Sequence, residues 1–110
     1  MKKKYRIKKN EEFSQIIAKR KSVKSSKYTI FYDYKKLDYS RVGISVSKKL
    51  GNSPVRNKIK RQVRMMFIQN YDYENSPIDL IVIVRNNYLE DDYKSNQNDL
   101  EKLINKVIIK

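Results

Sequence analysis

Hydrophobic residues recur along the start of the chain with the spacing of a short helix. Phe13, Ile16 and Ile17 share one face at i, i+3 and i+4 spacing, which predicts a helix over residues 10–20. Asn10 is a suitable N-cap residue, and the two glutamates after it suit the positive end of the helix dipole. The pattern therefore predicts one amphipathic helix near the start of the chain.

Alternating residues then predict two strands. Residues 28–34 are rich in aromatic and β-branched types, and Phe31 falls on the face opposite Ile30 and Tyr32. Residues 41–47 alternate between apolar residues and small or polar ones. This alternation is typical of a half-buried strand, and we expect it to pair with the preceding strand.

The second half of the chain predicts a long helix, a buried strand and a final helix. Ser53 is a suitable N-cap and Pro54 suits the first turn, so the long helix is expected to run to about residue 71. Residues 78–85 are apolar on both faces, as in a central strand covered on both sides. A single apolar stripe predicts the last helix over residues 96–109.

The order of these elements defines the expected fold class. We expect a turn over residues 37–40 and a break in the chain at Ser76 and Pro77. The order is then α-β-β-(β)-α-β-α, within one domain over residues 1–110. It predicts an α/β (α+β) fold, a two-layer sandwich with helices packed on a small mixed sheet.

The charge of the chain points to a class of partner. There are 26 Lys and Arg against 12 Asp and Glu, a net charge of +14. Such a chain attracts polyanions, with nucleic acid the expected partner and an anionic membrane the second candidate. The absence of Cys and His excludes disulfides, a Cys nucleophile, an imidazole base and a zinc site built on them. No segment resembles a signal peptide or membrane span, so a cytoplasmic protein is expected.

The long helix concentrates cations on one side. At about 100° per residue, Val55, Ile59, Val63 and Met66 form an apolar stripe. The other side and its edge carry Arg56, Asn57, Lys58, Lys60, Arg61 and Arg64. Because almost no acid pairs these cations, they repel one another unless an external anion such as RNA phosphate binds them. A solvated basic face is the alternative, and the density of charge favours nucleic acid.

Aromatic residues give a second candidate surface. Phe13 and Ile17 from the first helix, with Phe31 and Tyr32 from the first strand, can line a cleft that stacks single-stranded RNA. By periodicity alone Phe13 and Ile17 are more often core residues, and both interpretations stay open.

An acidic cluster before the last helix is a weaker candidate. Glu90, Asp91 and Asp92, with Asp99 nearby, have the oxygen ligands for Mg²⁺. Acids at that position more often cap the helix that follows.

Residues 41–61 carry a recognisable motif. Their sequence, Arg-Val-Gly-Ile-Ser-Val-Ser-Lys-Lys-Leu-Gly-Asn-Ser-Pro-Val-Arg-Asn-Lys-Ile-Lys-Arg, resembles the signature of the bacterial ribonuclease P protein family. That signature has a Gly-Ile/Leu-Ser-Val-Ser-Lys-Lys strand and turn, then Gly-Asn, then an Arg-Asn-Arg helix. Residues 7–13 resemble the family's first helix and residues 78–84 its late strand, so the resemblance covers about residues 5–85.

The resemblance implies a fold of the ribosomal protein S5 domain 2 type, with a left-handed crossover that departs from the usual right-handed rule. It also implies a subunit role in ribonuclease P, whose catalytic RNA uses Mg²⁺ to cleave the 5′ leader from precursor tRNA. The implied partners are the catalytic RNA and precursor tRNA, not DNA or a membrane. The protein is then a monomer in the holoenzyme, with no catalytic residue and no metal or cofactor of its own.

The resemblance also implies residue roles. The cations and Asn57 of the long helix, with Lys48 and Lys49, would face the catalytic RNA, and the aromatic surface that includes Phe31 would hold the leader. Lys58 stands where the family has the second Arg of Arg-Asn-Arg, so it keeps the charge but loses the forked hydrogen bonds. Ile17 stands where an aromatic residue is common, which weakens stacking there.

Two other functions stay open. A ribosomal or general RNA-binding protein without a processing role needs only the charge, whereas the ordered signature around Arg56 and Asn57 favours ribonuclease P. A protein ribonuclease in its own right is left with carboxylates and a metal ion, because His and Cys are absent.

Overall fold

Three helices and four strands make up the computed structural model, which describes residues 3–34, 39–71 and 78–108. They are α1 (Asn10–Ala18), β1 (Ser22–Lys24), β2 (Tyr28–Tyr34), β3 (Arg41–Val46), α2 (Ser53–Asn70), β4 (Ile78–Val84) and α3 (Tyr93–Ile108). Short 3-10 turns lie at Lys3–Tyr5, Lys48–Leu50 and Asn86–Glu90. The predicted order is confirmed, with β1 as the optional third strand. The predicted break at Ser76 and Pro77, and most of the turn over residues 37–40, lie outside the described residues.

The sheet is mixed and has the strand order β1-β2-β4-β3. β4 is antiparallel to β2 and parallel to β3, so Ile81 lies between Phe31 and Gly43. The expected pairing of β3 with the preceding strand β2 is therefore wrong. β4 separates them because its apolar residues on both faces are best buried at the centre of a sheet. α2 forms the crossover between the parallel strands β3 and β4, and its left-handed sense stays a prediction.

The main core lies between one face of the sheet and helices α2 and α3. Alternate residues of β2 and β4, including Tyr28, Ile30, Leu80 and Val82, are fully buried there. These helices and the sheet form the predicted two layers, and α1 adds a partial third layer on the other face. α1 packs on the opposite face, over a smaller cluster that contains Ile16 and other residues described below. Its short apolar stripe covers only part of that face.

Charged residues fix α1 to the sheet. Asp79 on β4 is completely buried and pairs with Nη2 of Arg41 at 2.9 Å. The same guanidinium nitrogen contacts Glu12 of α1 at 2.6 Å, and Lys19 of α1 reaches Asp33 of β2 at 2.7 Å. A buried carboxylate is stable only when it is paired in this way, so these contacts set the position of α1.

The helix caps differ in detail from those expected. Asn10 is the first helical residue of α1 rather than its cap. Asn52, not Ser53, caps α2, since its Oδ1 accepts a hydrogen bond from the Val55 N–H at 3.2 Å. α3 begins at Tyr93, three residues before the expected start. Periodicity locates a helix more reliably than its ends, where neighbouring polar residues compete to cap it.

Candidate nucleic-acid interface

The side of α2 that faces away from the core carries the predicted cations. Asn57, Lys58 and Arg61 are exposed and Arg56, Lys60 and Arg64 are half-buried. The apolar stripe is buried from Ile59 onwards, and Val55 at its start is half-buried. We call these six residues the basic face. Within the described residues none of its cations pairs with a carboxylate; Arg56 instead donates to the Ser53 hydroxyl at 3.0 Å. Cations without a carboxylate partner are stabilised by binding an external polyanion.

Two cations near the start of the chain extend this basic surface. Arg6 bridges to Val42 at the free edge of β3, and with Lys8 and Arg64 it lines a cavity of about 80 Å³. The Nε atoms of Arg6 and Arg56 are buried without a hydrogen-bond partner among the described residues. Sequence reasoning missed Arg6 and Lys8, because only the pairing with β3 brings them close to α2. A phosphate oxygen is a suitable acceptor for the other N–H groups of these two guanidinium groups.

Lys48 and Lys49 lie in the 3-10 turn that joins β3 to α2. Both are exposed, and Leu50 anchors the turn in the core. The Ser47 hydroxyl accepts a hydrogen bond from the Lys49 N–H at 3.2 Å. Lys49 also lines a shallow cavity of about 490 Å³ together with Ile83 and other residues at the end of β4. Lys49 therefore lies between the basic face and the opposite face of the sheet.

The structure brings Phe13, Ile17 and Phe31 together at the junction of α1 and the sheet. All three are half-buried and pack, with Ile83, against a buried cluster. The Phe13 ring lies directly over Gly43: a Cβ atom there would be 2.6 Å from Cζ of Phe13. These side chains are therefore core residues on one side and accessible on the other. We call this surface the α1 cleft.

The floor of the α1 cleft continues along the sheet. Two residues along each strand from Phe31 and Gly43, a second row on the same face crosses β1, β2, β4 and β3. It consists of Lys24, Thr29, Ile83 and Ser45. Lys24 is exposed, and the other three are half-buried. The cleft therefore combines rings beside α1 with polar groups and cations, including nearby Lys49, further along. That combination suits a single-stranded nucleic acid.

Tyr32 does not belong to this surface. It is only 8% exposed and packs in the main core on the opposite face of the sheet. The expectation that it lines the same cleft as Phe31 is wrong, because successive side chains of a strand point to opposite faces. Its ring contacts Tyr34 edge to face, with 5.8 Å between centroids.

Three residues of the predicted acidic cluster, Asp91, Asp92 and Asp99, have structural partners. Asp92 caps α3, its Oδ1 accepting from the Ser95 N–H at 2.8 Å. Asp91 and Asp99 bind the buried Lys27 ammonium at 2.8 and 2.6 Å. Burial alone lowers the pKa of Lys27, but the two carboxylates outweigh it and hold that pKa above its usual value. Across the described ranges no group of three or more His, Cys, Asp or Glu side chains is arranged to hold a metal ion.

No helix in the described part of the chain is long and apolar enough to span a membrane.

The comparisons agree on one family. The Ribonuclease P family model matches residues 1–108. The ribonuclease P protein component of Mesoplasma florum is 42% identical, covering 94% of this chain and 96% of its own. That of Streptococcus agalactiae serotype Ia is 41% identical over 91% of each chain.

Solved structures give the same result for the fold. The RNase P protein of Staphylococcus aureus superposes with a TM-score of 0.83 at 39% identity, covering 94% of both chains. That of Thermotoga maritima gives 0.78 at 28% identity, covering 89% of this chain and 93% of its own. The chain therefore belongs to the ribonuclease P protein family, the protein component of the ribonucleoprotein that matures tRNA 5′ ends.

Proposed function

We propose that this protein holds two RNA segments at once, the catalytic RNA on the basic face and the 5′ leader of precursor tRNA in the α1 cleft. One observation carries the proposal: the two surfaces lie on opposite sides of the sheet. The basic face belongs to α2, which covers the main core, and the α1 cleft lies on the other face. Two RNA segments can therefore bind without competing for the same side chains.

The chemistry of the two surfaces differs in a way that fits two kinds of RNA. The basic face offers cations and few rings, which suits the phosphates of a folded RNA. The α1 cleft offers the rings of Phe13 and Phe31, which suit unstacked bases of a single strand. Ile17 contributes apolar contact without a ring. Lys48 and Lys49 lie in the turn that joins β3 to α2, which makes them available to an RNA strand that leaves the cleft towards the basic face.

We also propose that cleavage is carried out by the catalytic RNA with Mg²⁺ at its active site. The protein has no His or Cys. Asp91 and Asp99 are engaged with Lys27, and Asp92 with the end of α3. In this assignment its residues bind and orient RNA, and none forms or breaks a bond. A general RNA-binding protein would not need the leader cleft.

The leader assignment is tested by replacing a ring without emptying its position. Phe31→Leu in the reconstituted holoenzyme is expected to weaken binding of leader-bearing precursor by roughly fivefold or more, because one base of the leader loses the aromatic side chain on which it stacks. Binding of mature tRNA should not change. Phe67→Leu is the matched control, since Phe67 is 1% exposed in the main core; it should lower stability and leave the ratio of the two affinities unchanged. Equal losses for both substrates in Phe31→Leu would place Phe31 outside the leader site.

A further inference from the structure

The central strand β4 is buried along its length except at one residue. Six of its seven residues are buried, and Ile83 is half-buried. Ile81, two residues earlier on the same face, is completely buried in the cluster below α1, so the cover that α1 provides ends before Ile83. Because an apolar side chain of a central strand is normally covered, Ile83 marks a place in the α1 cleft where an occupant fits.

A hydroxyl group flanks Ile83 on each neighbouring strand. Thr29 of β2 and Ser45 of β3 are the direct partners of Ile83 across the sheet, so the three side chains share one face. Both residues are half-buried, and their hydroxyls make no hydrogen bond within the described residues. Neither hydroxyl is among the polar atoms that are sealed from solvent, so a ligand in the cleft can reach both.

The spacing of these groups fits a nucleobase. Neighbouring strands lie about 4.8 Å apart, so Thr29 and Ser45 are separated by about 10 Å, with Ile83 between them. A base that lies flat on Ile83, with a hydrogen bond of about 3 Å at each edge, fills that distance. An aliphatic ligand would cover Ile83 and leave both hydroxyls without a partner.

Cations lie at both ends of this row of residues. Exposed Lys24 is the partner of Thr29 on β1. Beyond the other end, Lys49 and Arg85 line the cavity of about 490 Å³ that Ile83 also lines. The phosphates on either side of a base on Ile83 therefore lie close to positive charge, as a single-stranded nucleic acid requires.

We propose that Thr29 and Ser45 hydrogen-bond to the two edges of one leader nucleobase that lies on Ile83, and that they hold any of the four bases. The proposal rests on the proposed function, which places the leader in the α1 cleft. The tolerance follows because a hydroxyl rotates and both donates and accepts, so it pairs with an amino group, a ring N–H or a carbonyl. A side-chain amide or guanidinium would instead select one pattern of donors and acceptors.

Thr29→Val and Ser45→Ala remove the two hydroxyls and little else. Valine has nearly the shape of threonine and is favoured in strands, so the free energy of unfolding should not fall. Each variant removes one hydrogen bond to the base, so affinity for leader-bearing precursor should fall roughly twofold to tenfold, while affinity for mature tRNA stays the same. Ser14→Ala is the matched control: Ser14 is exposed on α1, and its loss should change neither affinity.

The measurement is the affinity of the reconstituted holoenzyme for precursors with one changed leader nucleotide. Each leader position in turn carries the four natural bases and difluorotoluene, which keeps the shape of uracil and forms almost no hydrogen bonds. At one position difluorotoluene should bind roughly twofold to tenfold more weakly than uracil, and the natural bases should differ by less than about threefold. In the protein that carries both substitutions, that penalty should disappear.

The outcomes separate this proposal from the proposed function. A penalty that persists without the two hydroxyls, or no position with a penalty, would overturn the base contact and leave the leader cleft standing. One natural base favoured by more than about tenfold at that position would overturn the tolerance. If the unmodified protein binds leader-bearing precursor and mature tRNA equally, the proposed function fails, and this proposal fails with it.

Discussion

At the scale of single residues, alternation along a strand decides which side chains share a surface. Phe31 and Tyr32 are adjacent in sequence and look equally suited to stack on bases. The sheet places Phe31 in the α1 cleft and buries Tyr32 under the helices. Periodicity alone could have separated the two. It could not have shown that Phe13 packs on Gly43, because that contact joins elements thirty residues apart in sequence.

Gly43 is expected to be essential to the shape of the α1 cleft. Gly43→Ala adds a methyl group where the Phe13 ring lies, so the ring must shift. We expect the free energy of unfolding to fall by about 1–3 kcal/mol, measured by urea denaturation, together with weaker binding of leader-bearing precursor. Ser45→Ala, on the same strand and face, should change stability by about 0.5 kcal/mol or less. A fully stable Gly43→Ala protein would contradict the close packing of Phe13.

Buried tyrosines make the fold sensitive to alkaline pH. Burial raises the pKa of Tyr88 to about 12, with a further contribution from Tyr93, against about 10 in the unfolded chain. The folded state therefore holds the proton of the Tyr88 hydroxyl more tightly than the unfolded chain does. The contribution of Tyr88 to the free energy of unfolding is fully present below about pH 10 and is lost as the pH rises towards 12.

The test is the free energy of unfolding as a function of pH, by urea denaturation. For Tyr88 the slope should be up to about 1.4 kcal/mol per pH unit, and Tyr88→Phe should flatten it. Burial also raises the pKa of Tyr28, so a residual slope is expected in that variant. An identical slope in both proteins would contradict the assignment to Tyr88.

At the scale of elements, local patterns predicted which segments form helices and strands, and non-local pairing was missed. The hydrophobic stripe located α2 and the direction of its basic face. The position of β4 between β2 and β3 depends on contacts across the whole chain. The same limit applies to the interface: Arg6 and Lys8 join the basic surface only through the edge of β3. Short-range periodicity contains no information on such neighbours.

The basic face of α2 should contribute to binding through individual phosphate contacts. Arg61→Ala is expected to weaken binding of the catalytic RNA and to reduce the slope of log affinity against log salt by about 0.7–0.9 per lost phosphate contact. Lys102→Ala, an exposed cation on α3, is the control with the same change in net charge. An unchanged slope in Arg61→Ala would mean that Arg61 contacts no phosphate.

At the scale of the whole molecule, the sheet separates the two surfaces that are proposed to bind RNA. The net charge of +14 attracts RNA to every part of the chain, so charge alone does not distinguish a processing subunit from a general RNA-binding protein. The distinction comes from the arrangement of the surfaces. A cleft with rings on one side of the sheet and a basic helix on the other fits a protein that holds substrate beside the catalytic RNA.

The most direct test of this account is 5′ processing of a precursor tRNA by a bacterial ribonuclease P RNA at low Mg²⁺, with and without the protein. The account predicts efficient cleavage at the mature 5′ end only when both components are present, and none with the protein alone. If the protein binds the RNA tightly and leaves cleavage unchanged, a processing role is contradicted. If the protein cleaves precursor tRNA without the RNA, the assignment of catalysis to the RNA is contradicted.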